Sequence, residues 1–233
     1  MAQELSLSVG EPFTSPAWGS NFVVFAGETG HPVPEPQTKE YMRRCCKYAR
    51  RFNVWLVPER FILMGYQCMS LITPEGKVMG AQKAFYNSPV FKATGKRSAL
   101  AEIFPTDFGS IFLCVDVDVY RPEVTRIASN MGAQIIVGSQ SIQRGDYSSH
   151  MVLTGAWNAA QLAGCYMVAV TNQFNCVCAP IALTPLRDGF LNPPNLKTPL
   201  IQRLKAERLA DLQRPKPLNR KLYALHRGEL IGG

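Results

Sequence analysis

The chain has 233 residues, 46% of them hydrophobic, and is therefore long enough to bury a large core in one domain. Its seven cysteines are scattered and lack the spacing of a disulfide framework or a zinc site. Neither a signal peptide nor an apolar segment of membrane length is present. These features predict a cytoplasmic protein with no membrane partner, no metal and no other cofactor.

The formal net charge of +8 is concentrated near the C-terminal end. Between Lys197 and Arg227, nine residues are basic and two are acidic. Few aromatic side chains accompany these charges and no nucleic-acid motif is present, so we do not expect nucleic-acid binding. We predict one domain over residues 1–195 and a basic tail over residues 196–233 that packs on a neighbouring subunit.

The first half of the chain predicts several strands and one helix. Apolar side chains at helical spacing predict a helix from Thr38 to Phe52, with Thr38 as its N-cap. A Pro-Glu-Gly turn at residues 74–76 predicts a hairpin between its two flanking strands. The segment from Ala84 to Asp107 has mixed character and is predicted as a loop. Strands are predicted at Glu4–Val9, Asn21–Phe25, Asn53–Pro58, Gln67–Thr73 and Lys77–Lys83.

A strand with acidic residues at its end lies in the middle of the chain, from Phe108 to Glu123. Its apolar, β-branched run predicts a buried strand that ends in an Asp-Val-Asp sequence. Because side chains alternate along a strand, Cys114, Asp116 and Asp118 are expected on one face. Buried carboxylates are costly without partners, so we expect these two at the end of the strand, where polar groups are available.

The second half alternates strands and helices, which predicts an α/β protein. Helices are expected from Glu123 to Met131 and from His150 to Ala163, with a polar loop from Ser139 to Ser149. A last helix is expected from about Leu200 to Leu212. Strands are predicted at Ala133–Gly138, Tyr166–Thr171 and Val177–Thr184.

These motifs resemble those of the nitrilase, or carbon–nitrogen hydrolase, superfamily. The family's strand-and-elbow pattern is similar to residues 108–123 without a gap, and matching residues also occur in the hairpin and in two later strands. The matches within the elbow stretch are Phe108, Gly109, Ile111, Asp118, Pro122 and Glu123. The resemblance implies a four-layer α-β-β-α sandwich that forms homo-oligomers. The chain is too short before residue 21 for the family's first helix, so that helix is expected to be missing.

The resemblance also implies a catalytic triad of cysteine, glutamate and lysine. The position of the cysteine nucleophile falls on Asp116, and the closest candidates for the other two residues are Glu28 and Lys83. A carboxylate cannot replace the thiolate, because its attack on an amide forms an anhydride. We therefore expect a homologue that is impaired in amide or nitrile hydrolysis. Cys114 is the alternative nucleophile of a working hydrolase of small amides or nitriles.

Four further residues are predicted to line a binding pocket beside this site: Asp118, Tyr120, Glu123 and Gln140. Two other functions remain open from the sequence. One is a non-catalytic binding or assembly subunit. The other is a phosphatase, since an apolar strand followed by Asp-x-Asp is also typical of phosphatases that use magnesium.

Overall fold

The computed structural model describes residues 4–27, 30–86, 96–142, 147–210 and 212. Two β-sheets lie face to face, with a core of apolar side chains from both sheets between them. The first sheet has seven strands and the second has six. The apolar run of each predicted strand explains this packing, because most strand side chains are buried on both faces.

The first sheet has the strand order β13-β1-β2-β3-β5-β4, and β6 pairs with β5. Strands β1, β2 and β3 run parallel to one another. The β5–β6 pair is the predicted hairpin, which is confirmed. The strands of this sheet are β1 (Leu5–Gly10), β2 (Phe22–Phe25), β3 (Trp55–Val57), β4 (Phe61–Leu63), β5 (Tyr66–Ile72), β6 (Val78–Lys83) and β13 (Leu200–Leu204).

The second sheet has the strand order β12-β11-β10-β9-β8-β7. Its central strands β8, β9 and β10 are parallel, with Ile135 of β9 aligned to Ile111 of β8 and to Tyr166 of β10. The strands of this sheet are β7 (Ile103–Thr106), β8 (Gly109–Val115), β9 (Ile135–Gln140), β10 (Tyr166–Thr171), β11 (Asn175–Cys178) and β12 (Phe190–Asn195).

Helices cover the outer faces of both sheets. Helix α1 (Glu35–Phe52) packs on the first sheet through Tyr41, Cys45 and Tyr48. A second apolar cluster joins the outer face of the second sheet to its helices. Those helices are α2 (Pro122–Asn130), α3 (Ser149–Val152) and α4 (Asn158–Ala163), the last two joined by a π-helical turn at Leu153–Trp157. The predicted α-β-β-α sandwich is therefore confirmed.

The residues between β1 and β2 are all described and form a loop, so the first sheet has no helix at this point. This agrees with the expectation of a missing first helix. None of the helices in the described part of the chain is long and apolar enough to cross a membrane.

The helix predicted from Leu200 to Leu212 is wrong. Leu200–Leu204 is a strand that pairs antiparallel with β1, and a 3₁₀ turn at Ala206–Leu209 follows it. Leu200 and Leu204 are both buried in the core between the sheets. Most of the predicted basic tail, residues 213–233, lies outside the described residues, so its packing on a neighbour stays a prediction.

Several element boundaries also differ from the predictions. Helix α1 begins at Glu35, so Thr38 is not its N-cap; the Thr38 hydroxyl instead donates to the carbonyl of Ile62 at 2.7 Å. The loop predicted before residue 107 contains β7, and the strand predicted at Val177–Thr184 ends at Cys178. Strand β9 continues through Gln140, which was predicted to lie in a loop.

Candidate functional site

The carboxyl ends of parallel strands from the two sheets meet at one edge of the sandwich. Arg60 follows β3 of the first sheet and reaches the ends of β8 and β9 in the second sheet. Ligand sites of α/β proteins are usually found at the carboxyl ends of parallel strands. This edge is therefore the place to look for a site.

Asp116 begins a sharp turn directly after β8. Its backbone has a φ of +53°, and a 3₁₀ turn runs from Asp116 to Tyr120. Residues other than glycine rarely adopt this left-handed conformation, and when they do, the strain is often found at a functional site. The turn also corrects the predicted alternation, because the extended strand ends at Val115. Cys114 packs among the helices of the second sheet, whereas Asp116 meets Arg60.

Arg60 and Asp116 form a buried ion pair. Arg60 Nη1 lies 3.2 Å from Asp116 Oδ1, and the two side chains are 3% and 1% exposed. Arg60 Nη2 donates to the carbonyl of Gly30 at 2.7 Å and to the Ser141 hydroxyl, and Nε donates to the Ser139 hydroxyl at 3.3 Å. The backbone N–H of Ser141 donates to Asp116 Oδ1 at 3.0 Å. The guanidinium thus links the two sheets through charge-assisted hydrogen bonds.

Burial and neighbouring charges have opposite effects on the pKa of Arg60. Loss of solvent lowers the pKa of the guanidinium, and the carboxylates of Asp116 and Glu59 partly offset this effect. The offset is physically required, because an isolated charge in such a place is very costly. Arg60 and Asp116 therefore depend on each other.

Two of the predicted binding residues lie beside Asp116. Burial raises the pKa of the Tyr120 hydroxyl; the nearby Gln140 side chain lowers it in part, and the charge of Asp116 raises it further. Within the described residues, Tyr120 OH, Gln140 Nε2 and Asp116 Oδ2 are buried atoms that make no hydrogen bond. Such atoms are uncommon in folded proteins.

Three cavities with shared lining residues lie near this edge, and the one lined by Arg60 is small. Only about 10 Å³ of it admits the centre of a water molecule, which is room for about one water. It is lined by Gly27, Gly30, His31, Glu59, Arg60, Ser139, Gln140 and Thr171.

Asp118 and Glu123, also predicted as binding residues, hold a neighbouring segment instead. The Asp118 carboxylate accepts hydrogen bonds from the backbone N–H groups of Phe85 at 3.0 Å and Tyr86 at 2.9 Å. Burial raises the pKa of Asp118 to about 7, although both hydrogen bonds oppose that rise. The Tyr86 hydroxyl donates to Glu123 Oε1 at 2.6 Å. Both carboxylates therefore fix the chain that follows β6.

Of the predicted catalytic residues, Lys83, Cys114 and Asp116 lie within the described part of the chain. Lys83 Nζ lies 4.6 Å from the centroid of the Tyr66 ring, and the ion pairs among described residues do not include this lysine. Cys114 is 1% exposed, and burial, with the charges of Asp118 and Asp116, raises the pKa of its thiol well above the usual value. Glu28 lies outside the described residues.

Arg60 is the site residue that the sequence reasoning missed. It stands between the predicted strand at Asn53–Pro58 and another apolar run, where a charged residue usually marks a solvent-exposed turn. One signal was present: like Asp116, Arg60 closely follows a buried strand that runs parallel to its neighbour. Only the packing of the two sheets shows that the two residues face each other.

Of three comparisons with known proteins, only the one with solved structures found matches. No protein-family model matches the chain, and a search of curated proteins found no significant match.

Solved structures do resemble it over nearly the whole chain. A carbon–nitrogen hydrolase from Helicobacter pylori G27 superposes with a TM-score of 0.74 and 14% identity, covering 99% of both chains. Nit3 of Saccharomyces cerevisiae, a nitrilase superfamily member, gives a TM-score of 0.72 and 14% identity over 93% of this chain and 96% of Nit3. An amidase from Nesterenkonia sp. gives a TM-score of 0.67 and 16% identity over 94% and 96% of the two chains.

The two packed sheets and their covering helices thus define an α/β sandwich. More particularly, the chain has the fold of the nitrilase superfamily, the carbon–nitrogen hydrolases. The resemblance first noted in residues 108–123 is borne out at the level of the fold.

Proposed function

We propose that this chain is a carbon–nitrogen hydrolase homologue that is impaired in the hydrolysis of amides and nitriles. The observation that carries the proposal is the buried ion pair between Arg60 and Asp116 at the end of β8. In variants of the Nesterenkonia amidase, the acetamide moiety of fluoroacetamide adds covalently to an active-site cysteine. The resemblance of residues 108–123 to the superfamily's elbow motif implies that the position of the family's cysteine is occupied by Asp116 in this chain.

The chemistry of Asp116 supports this proposal. Attack by its carboxylate on an amide would form an anhydride, which is much less accessible than the thioester formed by a cysteine. One oxygen of this carboxylate already pairs with Arg60 and accepts a hydrogen bond from the backbone N–H of Ser141. The cavity lined by Arg60 has room for about one water molecule.

Cys114 is a poor alternative nucleophile. The reactive form of cysteine is the thiolate, and the raised pKa of Cys114 keeps it protonated. Its side chain also packs in the apolar cluster between the second sheet and the helices, on the side away from Arg60. A phosphatase that uses both aspartates is disfavoured as well, because Asp116 pairs with Arg60 whereas Asp118 is held by backbone N–H groups.

The role that fits these features is binding or assembly, with copies of the same chain as the proposed partners. Arg60 joins residues from both sheets, so the former catalytic centre serves to hold the sandwich together. The binding pocket predicted from the sequence is then reduced to the atoms around Tyr120 and Gln140.

Ammonia release from a panel of small amides and nitriles tests this proposal. The natural protein and the Cys114→Ala variant should both release no ammonia above background. Activity in the natural protein that disappears in Cys114→Ala would show a working hydrolase and overturn the proposal. Ammonia release gained in Asp116→Cys would show that only the nucleophile was lost. No release of ammonia by that variant would favour an assembly role.

A further inference from the structure

Helix α1 has a strongly basic outer face. Its buried side packs on the first sheet, and the exposed side has two acidic residues, Glu35 and Glu40, and six basic ones. From the first to the last, these basic residues span about 18 Å of helix. The basic face of α1 consists of Lys39, Arg43, Arg44, Lys47, Arg50 and Arg51.

Little of this charge is neutralised within the described part of the chain. Glu40 pairs with Arg43 at 2.5 Å, and both side chains are more than half exposed. Arg44 lies 4.0 Å from the centroid of the Phe13 ring, and Arg50 Nε donates to the backbone carbonyl of Glu75. Neither of these two contacts removes positive charge. The face therefore keeps a positive potential toward solvent.

Exposed apolar side chains stand beside this helix on the same side of the sandwich. Trp18 is fully exposed, at 101% of its reference area. Its loop lies on the outer face of the first sheet, because the backbone N–H of Ala17 contacts the Ser8 hydroxyl. The same loop contacts α1, where the Tyr48 hydroxyl donates to the carbonyl of Thr14 at 2.7 Å.

Strand β13 extends this outer face beyond the loop. Ile201 is 53% exposed and aligned with Ser8 of β1, while its neighbours Leu200 and Leu204 point into the core between the sheets. Arg203, with its side chain 76% exposed and 4.0 Å from the Glu4 carboxylate, shares the outward side. Basic residues and exposed apolar side chains are thus combined on one face of the molecule.

We infer that this outer face binds an anionic lipid surface. Basic side chains attract the negatively charged leaflet, and tryptophan prefers the boundary between headgroups and acyl chains. A second copy of the chain would present the same positive charge and be repelled. Nucleic acid accounts for the charge, but it gives an apolar side chain such as Ile201 nothing to bury against. The expectation of no membrane partner came from the lack of a spanning segment, which surface binding does not need.

Co-sedimentation with lipid vesicles tests the inference, using vesicles of phosphatidylcholine with and without phosphatidylglycerol. The full chain should bind only the anionic vesicles, and added salt should release it. Tryptophan fluorescence should shift to shorter wavelength on binding, and the shift should be absent in Trp18→Ala.

The variant Lys39→Gln/Lys47→Gln tests the helix itself, since neither lysine has a described side-chain contact to lose. Each charge is worth about fivefold in partitioning, so the double variant should bind about 25-fold more weakly. The matched control Arg126→Gln/Arg187→Gln removes two exposed charges from the side of the second sheet and should bind like the natural protein. Equal losses in both variants would show a non-specific effect of net charge and overturn the inference.

Two other results would also overturn it. If binding survives the Lys39→Gln/Lys47→Gln change, the basic residues near the C-terminal end bind the lipid instead. If the chain binds poly(U) or duplex DNA but neither kind of vesicle, its basic face recognises nucleic acid.

Discussion

Asp116 and Asp118 stand two residues apart in one 3₁₀ turn, and both are almost completely buried. Asp116 is paired with a guanidinium from the other sheet, 3.2 Å away. Asp118 has only backbone N–H donors from the segment after β6, and burial raises its pKa to about 7. The two carboxylates therefore have different partners, because Asp116 pairs with a cation whereas Asp118 is held by neutral backbone groups.

Asp116 and Asp118 also have different structural roles. Asp116 joins the two sheets at the carboxyl ends of their strands through its pair with Arg60. Asp118 instead holds the backbone of Phe85 and Tyr86, which follow β6.

The Arg60→Met variant should lose about 3 to 5 kcal/mol of unfolding free energy, because it leaves the Asp116 carboxylate buried without a cation. Urea unfolding followed by circular dichroism measures the loss. The matched variant Arg60→Met/Asp116→Asn removes both charges and should recover much of the stability. A loss below about 1 kcal/mol in the single variant would show that the pair is unimportant.

Asp118 should make the protein less stable as pH rises. Its folded pKa of about 7 lies above the value of 3.8 for an unfolded aspartate, so the folded state binds more protons between these values. Its contribution is fully present below about pH 4 and is lost as pH rises through about 7, up to about 4 kcal/mol in all. Unfolding midpoints measured from pH 4 to 8 should fall less steeply in Asp118→Asn than in the natural protein. Identical slopes in the two proteins would rule out this role.

Tyr86→Phe should have a smaller effect on stability than either of these changes, because it removes one exposed hydrogen bond to Glu123. The backbone N–H of Tyr86 still reaches Asp118, so the pH dependence should be unchanged. Urea unfolding at two pH values checks both points. A changed pH slope would mean that Glu123, rather than burial, controls Asp118.

Glu40→Gln should change stability least, with no measurable shift of the unfolding midpoint, since its pair with Arg43 is exposed to solvent. This pair is shorter than the buried one, 2.5 Å against 3.2 Å. Comparing the thermal unfolding of Glu40→Gln with that of Arg60→Met therefore tests whether burial or the N–O distance of an ion pair determines its contribution to stability. A larger loss from Glu40→Gln would contradict the account of both pairs.

Much of the fold was predictable because the core strands are continuous apolar runs between turn residues. The wrong predictions lie where the local sequence pattern fits both a helix and a strand. Leu200 and Leu204 are four residues apart, which fits one face of a helix, yet they also share one face of a strand. The pairing with β1, which decides between the two, lies almost the whole chain away.

The site was predictable in part. The strand-end position of Asp116 could be deduced from its motif, and Tyr120 and Gln140 lie beside it. The sharp turn at Asp116 and the pairing with Arg60 could not, because both arise from contacts between distant segments. The predicted position of Lys83 relied on the spacing of the hairpin alone, and the structure places its amine over Tyr66.

Intact-mass analysis after incubation with fluoroacetamide tests the central claim most directly. This compound adds its acetamide moiety to the active-site cysteine in variants of the Nesterenkonia amidase. The account predicts no adduct on the folded natural protein at Cys114, since its thiol is buried and protonated. An acetamide adduct located at Cys114 by peptide mapping would show a working nucleophile and contradict the proposal.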